Sequence, residues 1–346
     1  MSHACILGCS GPVLTDEEAG FFRDVRPWGF ILFRRNVETP DQVRRLVDAL
    51  RATVRREDAP VLIDQEGGRV QRLRPPHWPK YPPGRAYGRA TNDPLVRRGL
   101  ARLGGQLLAH DLRALGINVD CVPVLDVPQP GAHDIIGDRA YGEDPATIAS
   151  LGRAAAEGLL AGGVLPVIKH IPGHGRSMAD SHLDLPVVDA SLEELERVDF
   201  APFRANSDMP AAMTAHVIYT AIDRKRPVTT SKKALKVVRR SIGFDGLLMT
   251  DDLSMRALRG SFEERARDAL EAGCDVVLHC NGDMAEMKAV VAGAGALKGK
   301  AKRRAEAALA RLPREPEPLD VDWARSRFEE AFGNQEAAAG PKVGEA

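Results

Sequence analysis

The densest run of chemistry-bearing side chains is KHIPGHGRSMADSHLDLP, residues 169–186, with three histidines, two aspartates and two glycines in one segment. So much punctuation argues against a helix, and the lack of alternation argues against a buried strand. Three kinds of chemistry fit these residue types. His170, His174 and His182 with Asp180 could cage a metal, but the H-x3-H pair spans Pro172 and Gly173, which forbids helical presentation of the two imidazoles. A nucleophile relay would need a suitably placed serine, and no G-x-S-x-G elbow occurs. An acid/base pair asks for less. In Asp180-Ser181-His182 the carboxylate lies two residues before the imidazole, so an extended backbone projects both to one side. A carboxylate there can fix the imidazole tautomer and keep a proton donor available near neutral pH.

Other polar groups stand at or just past apolar runs: Asp64, Asp126, Lys169 with His170, His216, Asp251 with Asp252, and His279 with Asn281. Any one of them could be a turn or a helix cap. Their recurrence at the ends of successive runs suggests a shared site.

The runs themselves are ACILG (4–8), GFILF (29–33), PVLID (60–64), INVDCVPVLDV (117–127), LPVIKH (165–170), AAMTAH (211–216), GLLMTDD (246–252) and DVVLHC (275–280). Nearly all apolar rather than alternating, they read as strands covered on both faces, as in a parallel sheet. Helical patterns separate them. Residues 39–57 place Val43, Leu46, Val47, Leu50 and Val54 on one stripe. Residues 144–163 open with a proline and end in glycines. Residues 191–203 begin with a capping-box pattern, Ser191 then Glu194, and residues 230–246 and 261–275 each lead into the next strand.

This alternation predicts an α/β fold, a single-domain (β/α)8 TIM barrel over residues 1–312, with polar residues gathered at the carboxyl ends of its strands. A doubly wound sheet would call for G-x-G-x-x-G after the first strand, which is missing. Residues 313–346 read as a C-terminal extension with one more short helix and a disordered Ala/Gly-rich end. The segment after the fifth run, about twenty residues long, exceeds an ordinary strand-to-helix link, which suggests a functional or disordered loop.

Composition narrows the function classes. The 346 residues can bury a large core, and 48 basic residues balance 48 acidic ones, so charge offers no argument for nucleic acid or an anionic membrane. No apolar run reaches about 18 residues, and the N-terminus MSHACILGCSGP lacks a basic region followed by a long apolar core. The expectation is a cytoplasmic protein. Five cysteines, an odd number without C-x-x-C spacing, suggest reduced and mostly buried thiols.

Taken together, DQEGGRVQRLR (64–74), VPVLDVP (122–128), IGDRAYGEDP (136–145), KHIPGHGRSMADSHLDLP (169–186), AHVIYTAID (215–223) and GFDGLLMTDDLSM (243–255) form a specific ordered set. From about residue 5 to 312 the chain resembles the bacterial β-N-acetylglucosaminidases of glycoside hydrolase family 3, the branch used in peptidoglycan recycling. The resemblance implies a TIM barrel that cleaves terminal N-acetylglucosamine (GlcNAc) with retention, through a covalent glycosyl-enzyme. It implies that Asp251 is the nucleophile, His182 the general acid/base and Asp180 its carboxylate partner. Asp64, Arg72, Arg139, Lys169 and His170 match positions that hold the sugar.

The implied substrate is GlcNAc-1,6-anhydroMurNAc from muropeptides, or another GlcNAc β-glycoside. No metal or organic cofactor is implied, and neither nucleic acid nor membrane is expected as a partner of what is expected to be a monomer. Asp252 is expected to cap the next helix, His216 to line the pocket or to be a satisfied structural histidine, and His174 to order the loop or touch ligand. Arg176 carries no assigned role. A phosphorylase using the same site, substrate-assisted catalysis, a metal-dependent hydrolase and a non-catalytic sugar-binding barrel are the alternatives.

Overall fold

The computed structural model describes residues 1–177 and 185–338. Eight parallel strands close into a barrel: β1 (His3–Gly8), β2 (Pro27–Leu32), β3 (Val61–Ile63), β4 (Val119–Asp120), β5 (Leu165–Ile171), β6 (Ala211–Thr214), β7 (Leu247–Asp252) and β8 (Val276–His279). Each pairs with its sequence neighbours, and β8 returns to β1 with Ile6 opposite Leu278. The expected single-domain (β/α)8 fold is what forms.

Alternation sets the two apolar layers. Ile6, Ile31, Leu62, Val119, Val167, Met213, Met249 and Val276 belong to one cluster, which Ala305 and Ala308 of the helix Gly299–Leu309 join. Leu7, Phe30, Leu32, Ile63, Ile168, Leu248 and Val277, the strands' opposite faces, pack with helix residues such as Val43, Leu46, Val47 and Leu50. Both faces of each strand are therefore dry, which is why the strands read as unbroken apolar runs.

Local signals place the helices. Thr39 accepts from the Gln42 N–H ahead of Pro40–Val54, and Asp144 accepts from the Thr147 N–H at 2.8 Å ahead of Pro145–Ala161. Two expected helices are broken. The span 191–203 divides into Leu192–Arg197 and Ala201–Ala205, because the intervening Asp199 turns in to take Arg176 at 2.7 Å. Only half of the expected capping box forms there. Ser191 accepts from the Glu194 N–H, but the Glu194 carboxylate pairs with Arg176 at 3.0 Å instead of returning to the cap. The span 230–246 runs as the α-helix Lys232–Val237 and a wider π-turn, Val238–Ile242, ended by Gly243 at φ 83°.

The helix Pro94–Arg113, started by Asp93 and Pro94, is additional to the helices read from sequence. Beyond residue 312 the chain forms the helix Val321–Ala338, longer than the short one expected. It packs through Phe328 and Phe332 against Tyr87, and Arg325 pairs with Asp111 at 2.7 Å. The Ala/Gly-rich end beyond residue 338 lies outside the described residues.

Candidate active site

The carboxyl ends of β3, β5 and β7 and the segments after β3 and β4 surround a cavity of about 370 Å³. Its wall includes Asp64, Glu66, Arg69, Arg72, Arg139, Lys169, His170, His174 and Asp251, with Ile135, Ile136, Met213 and Met255 as apolar surfaces. Six of the eight residues expected in the site, Asp64, Arg72, Arg139, Lys169, His170 and Asp251, converge here. The other two, Asp180 and His182, lie outside the described residues.

One side is a charge lattice centred on Lys169, only 2% exposed. Its ammonium donates to Asp64 Oδ1 at 2.9 Å and contacts Glu66 Oε1 at 2.6 Å. Arg72 closes on the other oxygen of Asp64 at 2.9 Å, its guanidinium resting 5.0 Å from the centre of the Phe33 ring. Arg139 grips Glu66 in bidentate fashion, with two contacts of 2.8 Å. Local chain geometry builds this lattice. The short hairpin Gln65–Gly67 with Val70–Gln71 folds Arg72 back over Asp64, and Gln65 Oε1 accepts from the Arg72 and Leu73 N–H groups to fix that fold. Gly67, at φ 100°, has no room for a side chain: a Cβ would meet the Pro82 carbonyl at 2.2 Å.

Burial alone would raise both carboxyls, but Lys169 and Arg72 hold Asp64 well below the usual carboxylate range, and Arg139 with Lys169 brings Glu66 down to about 2. Burial likewise opposes the Lys169 charge, and Asp64 with Glu66 more than restores it. A lattice of fixed charges offers donors and acceptors to a polar ligand without having to reorganise.

The lattice makes a pH prediction. A carboxyl depressed in the fold binds a proton less readily than in the unfolded chain, so its stabilisation is complete above the unfolded pKa and is lost as pH falls through the folded one. Melting temperature should therefore hold above about pH 5 and fall steeply from there towards about pH 2, as Glu66 and Asp64 are forced to protonate. A flat melting temperature across that window, measured by calorimetry, would mean that the lattice is not intact in solution.

Asp251 stands at the last turn of β7, half-buried on the cavity wall, and its Oδ1 accepts from the Asp252 N–H at 2.8 Å. Burial would raise its carboxyl, but nearby His170, the Asp252 N–H and Lys169 keep it below the ordinary range. Lys169 and His170, joined by a cis peptide bond, both line the cavity. His170 Nδ1 sits 2.6 Å from Asp126 Oδ2, while Asp126 Oδ1 accepts from the His170 and His174 N–H groups at 3.2 and 2.7 Å. Asp126 thus fixes the orientation of the His170 ring, with Nδ1 as donor. His174 both orders the loop, through its N–H on Asp126, and faces the cavity; burial and the neighbouring His170 push its imidazole down to about 4.

The first part of the singled-out segment is anchored. Gln129 N–H donates to the Gly175 carbonyl at 3.0 Å and His133 N–H to that of Ser177 at 2.8 Å, while the Tyr219 hydroxyl reaches the carbonyl of Gly173. A Cβ on Gly175 would lie 2.0 Å from the Val127 carbonyl oxygen, so this approach is open to glycine alone. Arg176, given no role from sequence, holds Asp199 and Glu194.

One further expectation, at Asp252, is corrected, and at His216 the structure decides between the two readings in favour of a satisfied structural histidine. Asp252 caps no helix: its Oδ1 accepts from the N–H groups of Ser254 and Cys280, tying the turn after β7 to the end of β8, and Ser261 caps the next helix. His216 does not line the cavity and instead has hydrogen-bond partners on both ring nitrogens. Glu66 and Asp126 went unassigned by sequence reasoning. Glu66 had one available signal, a place two residues after Asp64 on extended chain, which puts both on one side. All five cysteines are free and buried, and among the described residues no three His, Cys, Asp or Glu side chains come together as a metal would require.

Comparison with known proteins identifies the family. Residues 15–314 match the glycosyl hydrolase family 3 N terminal domain. A β-hexosaminidase of Alkalilimnicola ehrlichii is 41% identical over 281 residues, 80% of each chain. Native NagZ from Neisseria gonorrhoeae superposes with a TM-score of 0.83 at 32% identity, covering 98% of both chains. The same enzyme in complex with N-trifluoroacetyl-D-glucosamine superposes with a TM-score of 0.82 over 98% of this chain and 99% of that one, again at 32% identity. A closed barrel, a carboxylate at the end of β7 and a lattice of charged side chains therefore sit in a chain that belongs to glycosyl hydrolase family 3, on its bacterial NagZ-type branch, and is a glycoside hydrolase.

Proposed function

We propose that the protein is a retaining exo-β-N-acetylglucosaminidase that removes the non-reducing GlcNAc from GlcNAc-1,6-anhydroMurNAc muropeptides in the cytoplasm. The observation that carries this reading is Asp251, a carboxylate kept ionised on the wall of a cavity that it shares with a lattice suited to sugar hydroxyls. In the first step the Asp251 carboxylate attacks C1 while the His182 imidazolium protonates the departing glycosidic oxygen, giving a glycosyl-aspartate ester. In the second, His182 takes a proton from water, which attacks C1 and releases the Asp251 carboxylate. Asp180 stabilises the imidazolium that this cycle requires. Asp64, Arg72, Arg139, Lys169 and His170 hold the sugar. Among the described residues no helix is long and apolar enough to cross a membrane.

Product analysis on GlcNAc–anhydroMurNAc, run in phosphate and in phosphate-free buffer, tests substrate, bond and acceptor together. Free GlcNAc of retained configuration in both buffers is expected. GlcNAc 1-phosphate would show a phosphorylase, and an intact disaccharide would remove the substrate assignment.

The acid role of His182 is tested by leaving group. His182→Ala should slow release of a poorly leaving sugar aglycone by roughly 10²–10⁴-fold. A 2,4-dinitrophenyl glycoside, whose phenolate departs without protonation, should lose far less in kcat/KM. Equal losses on both substrates would mean that His182 is not the proton donor.

A further inference from the structure

His216 and Thr229 stand behind the cavity rather than on its wall, and both are fully buried. His216 Nε2 lies 3.0 Å from the main-chain carbonyl of Asp252, and its Nδ1 lies 2.7 Å from Thr229 Oγ1. A carbonyl only accepts, so Nε2 must carry the ring proton. In the neutral ring Nδ1 is then an acceptor, and at 2.7 Å it takes the Thr229 hydroxyl proton ahead of the Ala215 carbonyl, which lies 3.3 Å from the same oxygen. Thr229 Oγ1 in turn lies 2.8 Å from Thr214 Oγ1, which becomes its donor. The result is a chain with one direction: Thr214 to Thr229 to His216 to Asp252. Burial favours the neutral ring that this chain requires, against the pull of the nearby Asp251 and Asp252 carboxylates, and His170 reinforces it.

The chain ends on the residue that aims the nucleophile. The Asp252 N–H donates to Asp251 Oδ1, its Oδ1 accepts from Ser254 and Cys280, and its carbonyl receives His216. Residue 252 is thereby tied through its amide, its side chain and its carbonyl. Of these ties, only the carbonyl one depends on the tautomer of a histidine. A core histidine needs two partners to be satisfied, but it does not need them to converge on the peptide beside the reacting carboxylate.

We propose that His216, locked as its Nε2–H tautomer by Thr229, is a positioning residue that sets the Asp251 carboxylate for attack on the sugar. This rests on the reading of Asp251 as nucleophile. Loss of the lock should act on the chemical step and leave ground-state sugar binding, which the Asp64–Lys169–Arg139 lattice supplies, largely alone. Misplacement of a reacting group by a fraction of an ångström to one ångström can slow a step by up to about 10²-fold.

The test compares Thr229→Val, which keeps the shape and removes the hydroxyl, with Thr229→Ser, which keeps the hydroxyl. Steady-state kinetics on methylumbelliferyl and dinitrophenyl GlcNAc β-glycosides would be measured with calorimetric GlcNAc affinity. T229V is expected to lower kcat by roughly 10- to 100-fold on both substrates, with KM and GlcNAc affinity within about two-fold of wild type. T229S should recover most of that loss. Should T229V fail to fold, His216→Leu gives the same reading through kcat at retained GlcNAc affinity. The proposal is overturned by wild-type kcat in T229V or H216L, by T229S as slow as T229V, or by a loss confined to KM and GlcNAc affinity. An inactive wild type would instead overturn the nucleophile reading beneath it.

Discussion

Replacing Asp251 with alanine is expected to reduce hydrolysis of a GlcNAc β-glycoside by on the order of 10⁴-fold or more, because no other group can form the ester. The fold should survive. Asp251 is half-buried at the end of β7, and among the described residues its side chain takes a single hydrogen bond, from the Asp252 N–H. GlcNAc should still bind, since Asp64, Arg72, Lys169 and Arg139 remain. The vacated space also provides a positive signal. Azide can attack C1 from the face the carboxylate left, so the variant should form a GlcNAc azide of inverted configuration. Turnover within ten-fold of wild type, measured with the chromogenic glycoside, would dismiss Asp251 as nucleophile.

The second large effect is at Lys169. Its ammonium is the shared counter-charge of Asp64 and Glu66, in a place that is 2% exposed. Lys169→Met keeps the length of the side chain and removes the charge, leaving two buried carboxylates with one guanidinium each. Removing one partner from a buried ion network costs about 3–5 kcal/mol, because the remaining charges are not resolvated. Melting temperature should fall by on the order of 5–10 °C. GlcNAc affinity should fall with it, since Asp64 and Glu66 lose their spacing as well as a donor. A melting temperature within about 1 °C of wild type with unchanged GlcNAc affinity would show that the lattice is incidental.

The barrel was legible because its strands are covered on both faces and so write unbroken apolar runs. Each of the eight expected runs contains a barrel strand, although the run 117–127 is a regular strand only over Val119–Asp120, and Asp64, Asp251 and the Lys169–His170 pair were found where those runs end. The helix at 39–57 was legible for a related reason: its buried stripe repeats with the helical period and needs no knowledge of its partner. The parts that escaped depend on contacts distant in sequence. The break at Asp199 follows from Arg176, and Glu194 leaves its cap for the same arginine. Glu66 gains its place from Arg139, 73 residues away, and no local spacing announces that pairing. Asp252 was misassigned because its acceptor geometry is satisfied by Cys280 on the neighbouring strand rather than by the following helix.

The most direct test of the central claim is covalent trapping. A 2-deoxy-2-fluoro glycosyl fluoride slows both steps but leaves an excellent departing group, so the glycosyl-enzyme should accumulate. Intact mass followed by peptide mapping should then place one sugar on Asp251. A label on any other residue, or steady turnover with inverted product and no adduct, would contradict attack by the carboxylate at the end of β7.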